Sequence, residues 1–173
     1  MANFKEDLTK VKAFIFDVDG VFSATVTFLH PNGDVMRSTN IKDGFAVQHA
    51  VKQDYKICII SGGKYEAVRK RFEYLGVEDI YLGAHKKLEQ YEEFVKKYNL
   101  NEDEILYMGD DLPDYPVMKR VGVPTCPQDA AEEIKEISSY ISNYKGGEAC
   151  ARDVIEQVLR AQGKWLVPEV FEW

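Results

Sequence analysis

Short blocks of apolar, strand-favouring residues recur along the chain, most of them followed by a longer stretch whose apolar positions repeat with helical spacing. The first block, residues 11–16, is too short for a typical helix and ends abruptly at the carboxylates Asp17 and Asp19 and at Gly20. Two runs at 24–29 and 35–40 flank Pro31-Asn32-Gly33, a strong hairpin signal. Asp43 and Gly44 introduce a rough helical face over 45–53, with Asp43 as its N-cap. Residues 56–60 form a second buried strand that ends at Ser61-Gly62-Gly63, and 64–75 form a helix closed by Gly76. A third strand at 79–82, a charged helix over 85–98 and a fourth strand at 104–108 follow; the last ends at Gly109-Asp-Asp-Leu-Pro-Asp114. A short helix at 115–120, a fifth strand at 121–125 weakened by Pro124, and a helix at 130–137 come next. An edge strand at 140–142, a closing helix at 148–162 and an apolar tail over 163–173 complete the pattern.

Strand alternating with helix at this rhythm predicts an α/β fold, a doubly wound (Rossmann-like) parallel sheet, with the hairpin inserted after the first strand. The 173 residues suit a single domain spanning 1–173, with no repeat or linker to divide it. The 45% hydrophobic and 29% charged content is that of an ordinary soluble protein, and no run approaches the length of a membrane span. The first ten residues contain no apolar signal region. Cys58, Cys126 and Cys150 are odd in number and lack metal-type spacing, which points to reduced thiols and a cytoplasmic location. A formal charge of −7 argues against nucleic acid or an anionic membrane as partner. An anionic substrate must therefore be drawn by a few local cations.

Two acids at the end of a buried strand are costly unless paired or metal-bound. Positions 17 and 19 project from the same side while the chain stays extended. Two readings stand at this point: a surface turn in which Asp and Gly end a strand, or a site. Ligands of open α/β sheets bind outside the carboxyl ends of the strands. Those ends carry Asp17 and Asp19, then Ser61-Gly62-Gly63, then Asp110, Asp111 and Asp114, with Lys86 and Lys87 after the third strand. Clustered carboxylates suit Mg²⁺, a serine hydroxyl with backbone N–H groups suits phosphate, and a lysine can hold remaining phosphate charge. With a metal in place, a carboxylate can attack phosphorus.

Phe16-Asp-Val-Asp-Gly20, Ile60-Ser61, Lys87 and Gly109-Asp-Asp-Leu-Pro-Asp114, in this order, resemble the four motifs of the haloacid dehalogenase superfamily. The resemblance implies that Asp17 is a nucleophile and that Asp19 moves protons, first to the leaving alcohol and then from water. It implies that Ser61, Gly62 and Lys87 hold the phosphoryl group, Lys86 being the competitor of Lys87. Asp110 would bind Mg²⁺ with Asp17 and the backbone carbonyl of Asp19, with Asp111 and Asp114 as outer or alternate ligands. The gaps 17–61 and 87–110 hold no more than a hairpin, helices and a strand, so neither can contain a cap domain.

Hairpin-bearing, uncapped members of the superfamily resemble this chain further at Asn40-Ile-Lys-Asp-Gly44, Arg71, Gly146-Gly-Glu148 and Arg152. They are phosphatases of eight- and nine-carbon sugar acids, and the resemblance implies a homotetramer assembled through the hairpin, 24–39. It also makes Lys42, Asp43, Gly63 and Arg71 possible substrate contacts. Lys42-Asp-Gly44 favours the octulosonate 8-phosphate branch, which serves lipopolysaccharide synthesis, over the nonulosonate 9-phosphate branch. Gly63 departs from the basic residue usual in the former and lacks the acid expected of the latter. The alternatives are a nonulosonate phosphatase or a non-enzymatic phosphoacceptor module. A receiver-type module lacks the second Asp two residues on, and Ser-Gly-Gly-Lys64 lacks P-loop spacing.

Overall fold

The structure, a computed structural model, describes residues 4–171. After a single turn of helix, α1 (Phe4–Asp7), come β1 (Ala13–Phe16), the hairpin strands β2 (Phe28–Leu29) and β3 (Val35–Met36), and α2 (Ile41–Lys52). The chain continues through β4 (Lys56–Ser61), α3 (Glu66–Tyr74), β5 (Asp79–Leu82), α4 (Lys87–Tyr98) and β6 (Ile105–Met108). It closes with α5 (Tyr115–Met118), β7 (Val123–Cys126), α6 (Glu132–Ile137), β8 (Tyr140–Ile141) and α7 (Cys150–Ala161). Apart from the hairpin the strands form one six-stranded sheet of order β5-β4-β1-β6-β7-β8, and every pairing in it is parallel. This is the doubly wound sheet that the strand–helix rhythm predicts.

β1 sits at the centre, Ile15 opposite both Cys58 of β4 and Tyr107 of β6. Its four residues are all buried, which explains why it is apolar throughout instead of alternating. Side-chain alternation distributes them to two cores. Phe14 and Phe16 face the layer that includes α2, α3 and α7, whereas Ala13 and Ile15 face α4, α5 and α6.

The hairpin differs from its expected extent. Only Phe28–Leu29 and Val35–Met36 pair, as a separate two-stranded ribbon, because no strand of the main sheet extends it. Its apolar residues Val26, Phe28, Leu29 and Met36 are exposed. α2 starts at Ile41, not near residue 45: Asn40 is the N-cap, its side chain accepting from Lys42 N at 2.9 Å. Asp43 therefore lies inside the helix. It is buried and accepts from Arg152 N at 2.7 Å, capping α7 from a distant element. That cap serves a helix whose own N-cap residue, Ala149, has no oxygen to offer and adopts φ +76°. Gly76 at φ +87° follows α3 as the sequence predicts.

The start of the tail is docked on the domain. Trp165 is buried, edge-on to His49 at 5.5 Å, with the Arg152 guanidinium 5.0 Å from its ring. His49 Nε2 lies 3.0 Å from the Lys164 carbonyl oxygen. Phe171 is exposed, and the last two residues of the predicted apolar tail, 172 and 173, lie outside the described residues. Between β1 and β4 stand only the hairpin and α2, so among the described residues no cap domain covers the carboxyl ends of the strands.

Candidate active site

From β1 the chain runs to β4 and β5 on one side and then returns to β6, β7 and β8 on the other. The β1/β6 boundary is thus the point where winding reverses, and a crevice opens beyond those two strand ends. Asp17 leaves β1 there and Asp110 leaves β6 close by, while Asp17 N still donates to the Met108 carbonyl at 3.1 Å. Gly20 permits the approach: it adopts φ +81°, and a Cβ would stand 1.9 Å from Asp110 Oδ2.

Lys87, the first residue of α4, is buried and points its ammonium into this crevice. Its Nζ lies 2.8 Å from Asp17 Oδ2 and 2.7 Å from Asp114 Oδ1. Lys86 is exposed and pairs at 3.5 Å with Glu89, so of the two competing lysines Lys87 meets the acids. Asp114 is a hub. Oδ1 accepts from Lys87 and, at 2.6 Å, from the Tyr107 hydroxyl, and Oδ2 accepts from Asp110 N at 3.1 Å. Asp17 Oδ1 accepts from Val18 N at 2.7 Å. Ser61 is buried at the end of β4, its Oγ accepting from Gly63 N at 3.3 Å. These groups, with Asp19, Gly62, Gly63, Asp111 and His85, line one cavity of about 640 Å³.

The electrostatics show too little positive charge. Burial, followed by the charge of Asp114, pushes the Asp17 carboxyl up to about 7 against the pull of Lys87. Burial and then Asp17 and Asp114 push Asp110 up to about 8. For Lys87 burial favours the neutral amine, but the carboxylates of Asp17 and Asp114 prevail and raise it. Oxygens of Asp17, Asp110 and Asp114 lie within 4.8 Å of one another. Asp114 accepts from Lys87, Tyr107 and Asp110 N, and Asp17 from Lys87 and Val18 N; Asp17 with Asp110 could hold a hard divalent cation such as Mg²⁺, which takes few carboxylates and keeps waters.

This shortage of positive charge predicts a pH dependence of stability. Both acids titrate from 3.8 when unfolded, so between about pH 4 and pH 8 the folded metal-free protein binds more protons than the unfolded chain, and stability falls as pH rises through that window. Thermal unfolding in EDTA should show a lower Tm at pH 8 than at pH 5, with added Mg²⁺ restoring far more at pH 8. A metal-free Tm that rises with pH would refute this account. Asp43, pushed up to about 6 by burial, adds a decline that Mg²⁺ does not reverse.

Other predicted residues fall elsewhere within one chain. Asp43 is the buried cap of α7 and not a lining residue, because helix α2 begins earlier than expected and turns it inward. Lys42 lies in a separate polar groove with Tyr144, Glu148 and Arg152. Arg71 lines a second cavity of about 520 Å³ behind the hairpin, against Gly44, where a Cβ would stand 2.4 Å from its Nη2. Asp111 lines the site but is exposed, and its Oδ1 caps the next turn at Leu112 N, 2.8 Å away. Arg152 pairs along its own helix with Glu156 at 3.1 Å.

Two participants escape sequence reasoning. Tyr107 reads as one more apolar strand residue, and only its alternation toward the Asp114 side could signal its role. Arg37 lies in the hairpin segment; its Nε and Nη2 both reach Asp19, the latter at 2.8 Å from Oδ2.

A parallel sheet with buried carboxylates at its switch point, a lysine clamped between two of them and a serine on the neighbouring strand defines a hydrolase built for phosphoryl groups. The chain belongs to the haloacid dehalogenase-like hydrolases, whose family model matches residues 22–122. That match starts beyond Asp17 and Asp19, whose placement stands on the geometry above. The 3-deoxy-D-manno-octulosonate 8-phosphate phosphatase KdsC of Escherichia coli is 32% identical over 154 residues, 89% of this chain and 82% of the relative. The structure of the 3-deoxy-D-manno-octulosonate 8-phosphate phosphatase from Yersinia pestis superposes with a TM-score of 0.91 at 29% identity, covering 94% of this chain and 88% of that one. The corresponding enzyme of Moraxella catarrhalis, solved with magnesium, phosphate and KDO, gives a TM-score of 0.89 at 27% identity, covering 94% and 93%.

Proposed function

We propose that this chain is a Mg²⁺-dependent phosphatase that hydrolyses 3-deoxy-D-manno-octulosonate 8-phosphate to the sugar acid and phosphate, in the cytoplasmic supply of lipopolysaccharide precursors. The observation that carries the reaction class is the buried Asp17–Lys87–Asp114 bridge beside Asp110 at the mouth of an uncapped cavity. The similarity to KdsC over most of both chains carries the substrate.

In this reading Asp17 attacks phosphorus and becomes an aspartyl-phosphate. Asp19 first gives a proton to the leaving alcohol and then takes one from the water that attacks the acyl-phosphate. Lys87 offsets the repulsion between Asp17 and the phosphoryl oxygens, and Ser61 with the Gly62 and Gly63 backbone receives the transferred group. Asp17 and Asp110, with the Asp19 carbonyl, would hold Mg²⁺, which would supply charge neutralisation for the phosphoryl oxygens. Asp114 and Tyr107 hold Lys87 in place, and no helix among the described residues is long and apolar enough to cross a membrane.

Phosphate release across sugar phosphates tests the reading. Turnover should require Mg²⁺, stop in EDTA, and favour octulosonate 8-phosphate over a nonulosonate 9-phosphate by at least tenfold; a smaller preference sinks the substrate assignment. The exposed apolar hairpin supports a homotetramer in which neighbours close each other's open site. Light scattering should then report four subunits, and fewer once Phe28 and Leu29 are both changed to Glu; a fully active wild-type monomer contradicts the shared closure.

A further inference from the structure

We propose that Arg37 is a positioning residue for proton transfer, locking the Asp19 carboxylate so that one named oxygen, Oδ2, carries the proton. The inference rests on the role given to Asp19 above. The lone pairs of that carboxylate are unequally used. Oδ1 accepts from Arg37 Nε and lies 3.2 Å from the Ser23 hydroxyl, which shares its proton with the Val18 carbonyl at 3.3 Å, whereas among the described residues Oδ2 accepts only from Arg37 Nη2 at 2.8 Å. A carboxylate oxygen accommodates about two donors, so Oδ1 is the more crowded of the two and Oδ2 retains an open position. The Asp19 side chain is 41% exposed and lines the catalytic cavity, so that open position is within reach of a bound ester.

Arg37 itself is fixed from behind. Its side chain is only 12% exposed, and the guanidinium carbon stands 3.8 Å from the centre of the Tyr65 ring, where the planar cation stacks favourably. A Cβ at residue 63 would lie 3.1 Å from Tyr65 Cδ2 and 3.5 Å from Arg37 Nη2. The missing side chain at Gly63 thus leaves the room in which Arg37 and Tyr65 meet. A planar two-donor fork held by a ring and a helix start prevents the carboxylate from rotating, which a single ammonium could not do.

The P–O bond to the alcohol breaks as the Asp17 oxygen bonds to phosphorus, and the proton on Asp19 Oδ2 moves to the departing oxygen. In the second half Oδ2 recovers a proton from the attacking water, whose oxygen bonds to phosphorus as the acyl-phosphate P–O bond breaks. Only the first half depends on the leaving group, since an alkoxide needs a proton and p-nitrophenolate does not.

The test is kcat/KM with Mg²⁺ for wild type, Asp19→Asn, Arg37→Ala and Arg37→Lys, on octulosonate 8-phosphate and on p-nitrophenyl phosphate. Asp19→Asn and Arg37→Ala should each lose at least tenfold more on the alkyl ester than on the aryl ester, with Arg37→Lys between them and wild type. Equal losses on both esters for Arg37→Ala beside a selective Asp19→Asn overturn the positioning role and leave Arg37 as a tie for the hairpin. A non-selective Asp19→Asn overturns instead the role of Asp19 on which the inference rests. If Arg37→Ala fails to fold by circular dichroism, Arg37→Lys decides: a selective loss supports the role, and an equal loss on both esters overturns it.

Discussion

Replacing Asp17 by Asn should lower phosphatase turnover by at least about 10⁴-fold, in keeping with the loss seen when an enzyme's nucleophile is removed. The amide keeps the shape of the side chain but cannot form the acyl-phosphate, and it offers a cation one neutral oxygen in place of a charged pair. The fold should survive. Asp17 stands among acids that repel it, Asp114 foremost, and burial already disfavours its charge. Lys87 retains Asp114 at 2.7 Å after the change. The metal-free Tm should therefore stay level or rise, while the stabilisation conferred by Mg²⁺ shrinks. Phosphate release near the wild-type rate, in a folded variant, would remove Asp17 from the role proposed for it.

Lys87→Met should fail for the opposite reason, through stability as well as chemistry. The ammonium is buried and bridges two carboxylates, and removing one member of a buried ion cluster costs about 3–5 kcal/mol. For a domain of this size that corresponds to a Tm lower by about 6–20 °C. The loss should be largest at pH 8 and smaller at pH 5, where the acids relieve their repulsion by binding protons. Activity should fall with it even where the variant is folded, because among the described residues no other lysine or arginine lines the cavity to offset the approach of phosphate to Asp17. A Tm unchanged across pH 5–8 would show that the bridge is not what holds Asp17 and Asp114 together.

The strand ends were legible because a buried apolar run that stops at a polar or charged side chain conflicts with ordinary folding preferences, and the carboxylates Asp17 and Asp110 and the hydroxyl of Ser61 each mark such a stop. The choice between Lys86 and Lys87 was not settled by the residues themselves. Both stand at the start of one helix, and only the turn of α4 shows which points inward. Asn40 and Asp43 are equally good caps by composition. Burial decided between them, because α7 lacks a cap of its own and takes Asp43 for it. Arg37 was invisible for a different reason. Its partner lies eighteen positions earlier across a ribbon only two pairs long, and no periodicity encodes such a contact.

The central place of β1 has a consequence for how this enzyme comes to exist. Its neighbours β4 and β6 are contributed by distant parts of the chain, and all four of its residues are buried on both faces. A nascent chain that ends before residue 105 carries β1 with one edge open, a short and wholly apolar template for pairing with another molecule. Only when β6 docks is that edge covered, and the same event brings Asp110 and Asp114 up to Asp17 and Lys87. The pairing that covers this edge of β1 is thus the same one that places the acids of the loop after β6 beside Asp17 and Lys87. A fragment that ends before residue 105 should therefore lack the chemistry outright instead of showing a weakened version of it.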